Sequence, residues 1–319
     1  MGTDSTSSDN QIRVGVIINE GKELGGGLEE LRSALADAGH PDPPWCEVSK
    51  SKKAPKKIRK LVEKHGIDRL LMWGGDGTVR RAINTIISEG YGDVSIGILP
   101  AGTANLLANN LDIPIDLRGA VDVAVHGDPR PIDVGEMNGT YFAVMAGTGF
   151  DAMMIRDADD GELKERFGRA GYVVAGMRNR DVSPAHAVIE VDGTPWYTGD
   201  ASCVIVANVG TILGGLQAFP DASPTDGRLD VGVVSARSST EWMRLLASAA
   251  VKRAHRSPLT KMVTAEKLTV TLDRSLPWEV DGGDRDRTDV FEVRCLPKAI
   301  QICQPWTTDP TADTGETSQ

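Results

Sequence analysis

Apolar residues recur along the first third of the chain in two alternating patterns. Unbroken runs at residues 12–18 (IRVGVII), 70–73 (LLMW) and 94–99 (VSIGIL) have the form of strands buried on both faces, and 45–49 reads as a further strand. Between them the spacing turns helical. Residues 28–38 form one such segment, and 55–65 carries Ile58, Leu61 and Val62 on one side. After residue 73, Val79, Ala82, Ile83, Ile86 and Ile87 fall at i, i+3, i+4, i+7 and i+8. Another helix is expected from near Ala104. Strand and helix alternating over residues 12–125 predict a parallel α/β sheet covered by helices on both faces.

Beyond Pro129-Arg130-Pro131 the pattern changes. Strand-like segments at 132–134, 141–146, 187–191, 195–197, 202–209, 229–234, 268–272 and 291–295 are separated by Gly, Asp and Pro turns. They predict a mainly antiparallel, β-sandwich-like second domain. Helices are expected at 163–177 and 240–254, and residues 299–303 (AIQIC) form a last strand able to rejoin the first domain. The expected division is therefore 11–130 with 298–306 returning, then 131–297, with disordered tails at 1–10 and 307–319.

Composition narrows the function classes. The chain has 319 residues, 45 acidic against 35 basic, for a net charge of −10. That balance argues against a general nucleic-acid binder. Four cysteines without a CxxC pair and five scattered histidines indicate neither a zinc site nor a disulfide framework. No apolar run reaches a membrane span and no secretory segment opens the chain, so a cytoplasmic location is expected. Oligomeric state is not readable from these features, and a homodimer stays open.

The chemistry concentrates where the run at 70–73 meets Gly74, Gly75, Asp76, Gly77 and Thr78 and becomes a helix. Such a turn presents backbone N–H groups at the positive end of a helix dipole, and glycine lets a phosphate approach closely. A carboxylate beside a phosphate repels it unless a cation lies between, so Asp76 points to a nucleotide-phosphate site with Mg2+. A plain capped turn is the competing reading. GxxxxGK[ST] is absent, and Arg80 stands where a dinucleotide fingerprint needs its third small residue. A second small-residue turn, Pro100-Ala101-Gly102-Thr103, precedes the next helix, and Thr103 reads equally as a phosphate contact or an N-cap.

GGDGT at 74–78 and PAGTANLLA at 100–108 resemble the soluble diacylglycerol kinase and sphingosine kinase group of lipid kinases. The likeness continues through PIDVGEMNGTYFAVMAGTGFDA at 131–152, FPDASPTDGRLDV at 219–231 and WEVDGGD at 278–284. It implies a nucleotide-binding α/β domain, a β-sandwich-like domain and transfer of the ATP γ-phosphate to a lipid hydroxyl between them. It further implies that Asn19, Gly21 and Lys22 form a first nucleotide loop, with Glu20 where the family has proline, and that Ser49 contacts nucleotide. Gly74, Gly75, Asp76, Gly77, Thr78, Val79 and Arg80 become the phosphate loop, with Thr103 and Asn105 opposite; Asn105 also suits a helix cap.

Asp76 and Asp133 would belong to a magnesium–water network whose third acid is replaced by Leu106. Asp226, with the carbonyls of Ser223 and Arg228, resembles a structural magnesium turn, against which stands an ordinary Asx turn. The family's proton-accepting glutamate falls on Gly283, leaving Asp284 first and Asp281 second as stand-ins. A lipid alcohol is the implied substrate, reached by transient peripheral membrane contact. Basic stretches at 50–60, 163–180 and 252–256 could serve that contact or be solvated faces. Two rivals stay open: a soluble-substrate kinase of the NAD kinase type, and a catalytically weakened nucleotide-binding regulator.

Overall fold

Three of the apolar runs become strands in which every residue is buried: β1 (Val14–Asn19), β3 (Arg69–Gly74) and β4 (Ser95–Pro100). An uninterrupted apolar run suits a strand covered on both faces, because neither set of alternating side chains meets water. The computed structural model describes residues 12–149, 184–212, 216–250 and 257–306. With β2 (Trp45–Val48), these strands pair in parallel in the order β2-β1-β3-β4.

Ile17, Leu70, Met72, Ile96 and Ile98 pack on one face, against α2 (Ala54–His65) through Ile58 and Leu61 and against α3 (Asp76–Glu89) through Val79, Ile83 and Ile86. Val16, Ile18, Leu71, Trp73 and Leu99 pack on the other, against α1 (Gly27–Asp37) and α5 (Leu117–His126). The helix expected from Ala104 is thus two pieces. A short α4 (Leu106–Asn110) ends before Pro114, and α5 restarts where the Asp116 carboxylate accepts the Gly119 N–H at 2.8 Å. The apolar side of α2 is consumed by the core, so its lysines form a solvated face.

The second part begins with β5 (Asp128–Met137), β6 (Thr140–Phe142) and β7 (Met145–Thr148). It continues through β8 (Ala185–Val191), β9 (Thr194–Ala201), β10 (Cys203–Ala207), β11 (Thr211–Ile212), β12 (Leu216–Gln217) and β13 (Leu229–Val234). α6 (Ser239–Ala250) and β14 (Thr260–Ala265) lead to the hairpin β15 (Lys267–Val280) and β16 (Gly283–Gln304). β8 alternates buried and exposed residues along its length, the mark of a sheet with one face on a core. The expected helix at 163–177, the basic stretches at 163–180 and 252–256, and the tails at 1–10 and 307–319 lie outside the described residues. Among the described residues no helix is long and apolar enough to cross a membrane.

One strand joins the two parts. The first half of β16 pairs with β15, while Ile302 near its end pairs in parallel with Ile96 of β4 and in antiparallel with Arg130 of β5. The sheet therefore runs without a break from β14 to β2. The divide expected near residue 130 falls inside β5 rather than between elements. Ile302 is fully buried at this junction. Ile302→Ala is expected to cost about 2–5 kcal/mol, the range for deleting a buried isoleucine side chain, read as a lower urea midpoint of the whole chain; a loss below about 0.5 kcal/mol would contradict a junction on which both parts depend.

Candidate active site

Gly75 holds the N-cap position of α3 with extended backbone and no side-chain cap. The Thr78 and Val79 N–H groups turn back onto the Gly75 carbonyl at 2.8 and 3.2 Å, so Val79 spends its backbone donor inside the turn and its side chain in the core. Asp76 and Gly77 face a cleft of about 480 Å³, together with Thr78 and Arg80. A Cβ added to Gly77 would meet open space. The Asp76 carboxylate accepts from the Leu107 N–H at the start of α4, at 3.4 Å. Burial raises its pKa, against the pull of the Leu107 and Leu106 backbone N–H groups.

The second turn lies directly on the first. The Ala101 N–H donates to the Gly74 carbonyl at 3.0 Å, and a Cβ on Gly75 would come within 2.9 Å of the Gly102 Cα. A Cβ on Gly102 would overlap the Gly75 Cα more severely still. No other residue pair fits two backbones this close. Asn105 adopts the left-handed region (φ 47°), and its side chain spans the turn. Its Oδ1 accepts from Gly102 N–H at 2.8 Å, and its Nδ2 donates to the Pro100 and Gly102 carbonyls at 2.9 Å each. Asn105 thus neither caps α4 nor offers its amide to the cleft; it holds the loop that exposes Thr103 there.

The end of β1 completes this wall. Asn19 donates through Nδ2 to the Thr78 hydroxyl at 3.1 Å and accepts from the Gly21 N–H at 3.3 Å, while the Trp73 indole donates to the Lys22 carbonyl at 2.9 Å. Asn19 and Lys22 line the cleft. Ser49 does not: it is exposed and accepts from the Lys53 ammonium at 2.9 Å, and Ser51 takes the lining position two residues on.

Val144, Met145, Glu279, Asp281 and Gly282 form the facing wall. Asp281 sits at the tip of the β15–β16 hairpin with φ 42°. Its carboxylate accepts three backbone N–H bonds, from Ala143 and Val144 at 3.0 Å and Met145 at 2.9 Å. Burial raises its pKa to about 6 despite these donors and Arg80. These bonds anchor the hairpin, two on Oδ1 and one on Oδ2, while Asp281 also lines the cleft. Asp284 pairs with Glu279 across the hairpin, but its side chain lies outside the described part of the structure. A Cβ on Gly283 would overlap the Arg80 guanidinium, which donates to the Val280 carbonyl. The space beside Gly283 therefore holds a cation.

Asp133 is fully buried and does not line the cleft, contrary to its expected place facing phosphates. Its Oδ1 accepts from Lys298 N–H at 2.8 Å and its Oδ2 from Gly227 N–H at 2.6 Å, tying an irregularity in β16 to the turn at 223–228. Within that turn, exposed Asp226 accepts from the Arg228 N–H at 2.9 Å in an Asx turn, and the Ser223 hydroxyl meets that of Thr225. The Arg228 guanidinium reaches out to Asp192 and Glu266. Asp226 and Asp221 also press on half-buried Asp230, whose pKa burial and these charges raise to about 6. Among the described residues no three acids, histidines or cysteines converge closely enough to hold a metal ion by themselves. Asp133 and Asp226, expected at two different magnesium sites, both push the Cys295 thiol upward after burial, while Asp76, expected beside Asp133, lies in the cleft that Asp133 does not line.

Residues 13–137 match the family model described as the diacylglycerol kinase catalytic domain, and residues 144–304 the YegS C-terminal NAD kinase beta sandwich-like domain. The chain belongs to the diacylglycerol kinase-like family of lipid kinases. A Shewanella frigidimarina protein named "Probable lipid kinase YegS-like" is 26% identical over 91% of this chain and 93% of its own. A Bacillus subtilis diacylglycerol kinase is 29% identical over 67% of this chain and 71% of its own. The chain spans 60% of the length of a Synechocystis relative with which it shares 30% identity over 81% of itself. The crystal structure of a Bacillus anthracis diacylglycerol kinase shares the fold, with TM-score 0.73 at 23% identity over 92% of this chain and 97% of that one.

Within this family fold, sequence reasoning missed Ser51, Ala104, Val144, Met145 and Glu279 as lining residues. Only Glu279 carried a signal, as an acid inside an otherwise apolar strand ending. The cradle itself rests on the glycine contact. Gly102→Ala is expected to force the two turns apart at a cost of about 1–3 kcal/mol, the usual penalty of overpacking, measured as a lower unfolding midpoint; a variant as stable as the parent would show that the turns are not held in contact.

Proposed function

We propose that this protein transfers the γ-phosphoryl group of ATP to the hydroxyl of a lipid alcohol, of the diacylglycerol or sphingoid kind, with Mg2+. The observation that carries the reading is the cleft's two unlike walls. One is a glycine cradle at the carboxyl ends of three parallel strands, where such sheets bind nucleotides. The other brings apolar Val144 and Met145 opposite it, beside Glu279 and Asp281, while Ala104 and Leu106 add apolar surface on the cradle's own side. Apolar lining suits an acyl-bearing acceptor better than a second nucleotide, which weighs against a soluble substrate such as NAD.

The roles follow from placement. The N-terminal turn of α3 receives the phosphates, with Lys22 and Arg80 supplying positive charge and Thr103 a hydroxyl donor. Phosphoryl transfer depends on positioning and on neutralising the charge of the transferring group, and these residues supply both. Mg2+, when bound, offsets the repulsion between Asp76 and the phosphates; a second ion suits the Asp226 turn, where it would relieve the crowding around Asp230. The lysine-rich outer face of α2 gives an anionic membrane surface something to attract, so we place the enzyme peripherally at the cytoplasmic face.

Purified protein with radiolabelled Mg-ATP is expected to label a lipid alcohol in mixed micelles, and Asp76→Ala to lower that rate at least about 100-fold, the scale of losing a transition-state charge contact. An unchanged Asp76→Ala rate refutes its role, and nucleotide binding without lipid labelling favours a regulator. Separately, Mg2+ is expected to raise the Tm of the parent chain and to raise it less in Asp226→Ala; equal shifts would remove the ion from that turn.

A further inference from the structure

Three carboxylates line the cleft among the described residues: Asp76, Asp281 and Glu279. Asp76 lies on the phosphate wall, bound by the start of α4. Asp281 is committed to three backbone N–H groups. Glu279 is a buried residue at 5% exposure, one position before the end of β15, on the wall that faces the glycine cradle. Its neighbours in the sheet are Gly147 of β7 on one side and Asp284 of β16 on the other. Glu279 also feels the charge of Arg80, the residue that spans from α3 to the hairpin.

Resting on the lipid-kinase reading above, we propose that Glu279 accepts the proton of the acceptor hydroxyl. It does so from the opposite strand of the hairpin whose other strand begins at Gly283. In the step, the lipid oxygen bonds to the γ-phosphorus as its proton passes to the Glu279 carboxylate. The bond from γ-phosphorus to the β,γ-bridging oxygen breaks, and its electron pair leaves with ADP. Glu279 returns the proton to water after product release. Arg80 fills the space beside Gly283, and its charge favours an ionised carboxylate opposite the phosphates. Proton acceptance therefore moves by a few residues along one hairpin, while the position of the phosphates is kept.

The test compares the parent chain, Glu279→Gln and Asp284→Asn in the radiolabel assay with Mg-ATP and a diacylglycerol. Glu279→Gln is expected to lower kcat at least about 100-fold, the usual contribution of a positioned general base, while the KM for ATP and the Kd for a fluorescent ATP analogue stay within about twofold. A Glu279→Gln enzyme within threefold of the parent overturns the assignment, as does a loss confined to Asp284→Asn. Should thermal melting show that Glu279→Gln does not fold, Glu279→Ala with added formate decides: restored turnover supports the assignment and none overturns it. A parent chain that labels no lipid alcohol defeats the lipid-kinase reading itself, before any variant is compared.

Discussion

The cleft depends on two backbones touching at Gly75 and Gly102. The carboxyl ends of β3 and β4 are adjacent in any parallel sheet, but ordinary side chains would hold the following turns apart. Here both turns lack a Cβ at the point of contact, and the Ala101 N–H crosses to the Gly74 carbonyl. Asn105 then pins the second turn from within, at the cost of a left-handed backbone that asparagine tolerates better than most residues. Asn19 reaches over from β1 to the Thr78 hydroxyl, so three strand ends are fixed in one cradle. A site built this way has little left to order when a ligand arrives, which is how preorganisation raises affinity and rate.

Two acids, fully buried Asp133 and half-buried Asp281, hold the second part in register with the first. Asp281 gathers the N–H groups of residues 143–145 and so sets the hairpin tip against the strand that follows β6. Asp133 ties β16, at the residue where its pairing with β5 shifts, to the turn at 223–228. An acid accepting backbone donors in a buried setting stabilises by more than a neutral partner would, because the bond is charge-assisted. The same bonds take up part of each carboxylate's acceptor capacity, two sites on Asp133 and three on Asp281. Motif acids can therefore be fixed by the needs of the backbone as much as by those of the chemistry.

Much of this was legible in the chain because the physics is local. Fully apolar runs gave the buried strands, and the stripe from Val79 to Ile87 gave α3. The edge strand β14 was missed because most of its residues are neither buried nor regularly alternating. The split between α4 and α5 turned on Asp116, whose capping role competes with its reading as a loop residue. At the site, the glycine turn and Asp76 were legible, while Asn105, Asp133 and Asp281 were recognised as important without their bonding being visible. Which backbone donor a carboxylate meets depends on chain segments far away in sequence: 138 residues separate Asp281 from Ala143.

Glu279 shows the limit most clearly. In Trp278-Glu279-Val280 the sequence alternates apolar, charged, apolar, and a charged residue between two buried ones ordinarily points to water. Trp278 and Val280 do pack into the core of the second part. But β15 lies beside β7 in a sheet whose other face looks toward the first domain, so the face reserved for the polar residue is the cleft wall. The alternation was right and its meaning depended on what stood opposite. With Arg80 reaching the same hairpin from α3, the wall pairs a cation held by a backbone carbonyl with a nearby acid. The proposed phosphoryl transfer needs the charge on the phosphates offset and the hydroxyl proton taken up, and a cation and an acid stand together on this wall of the cleft.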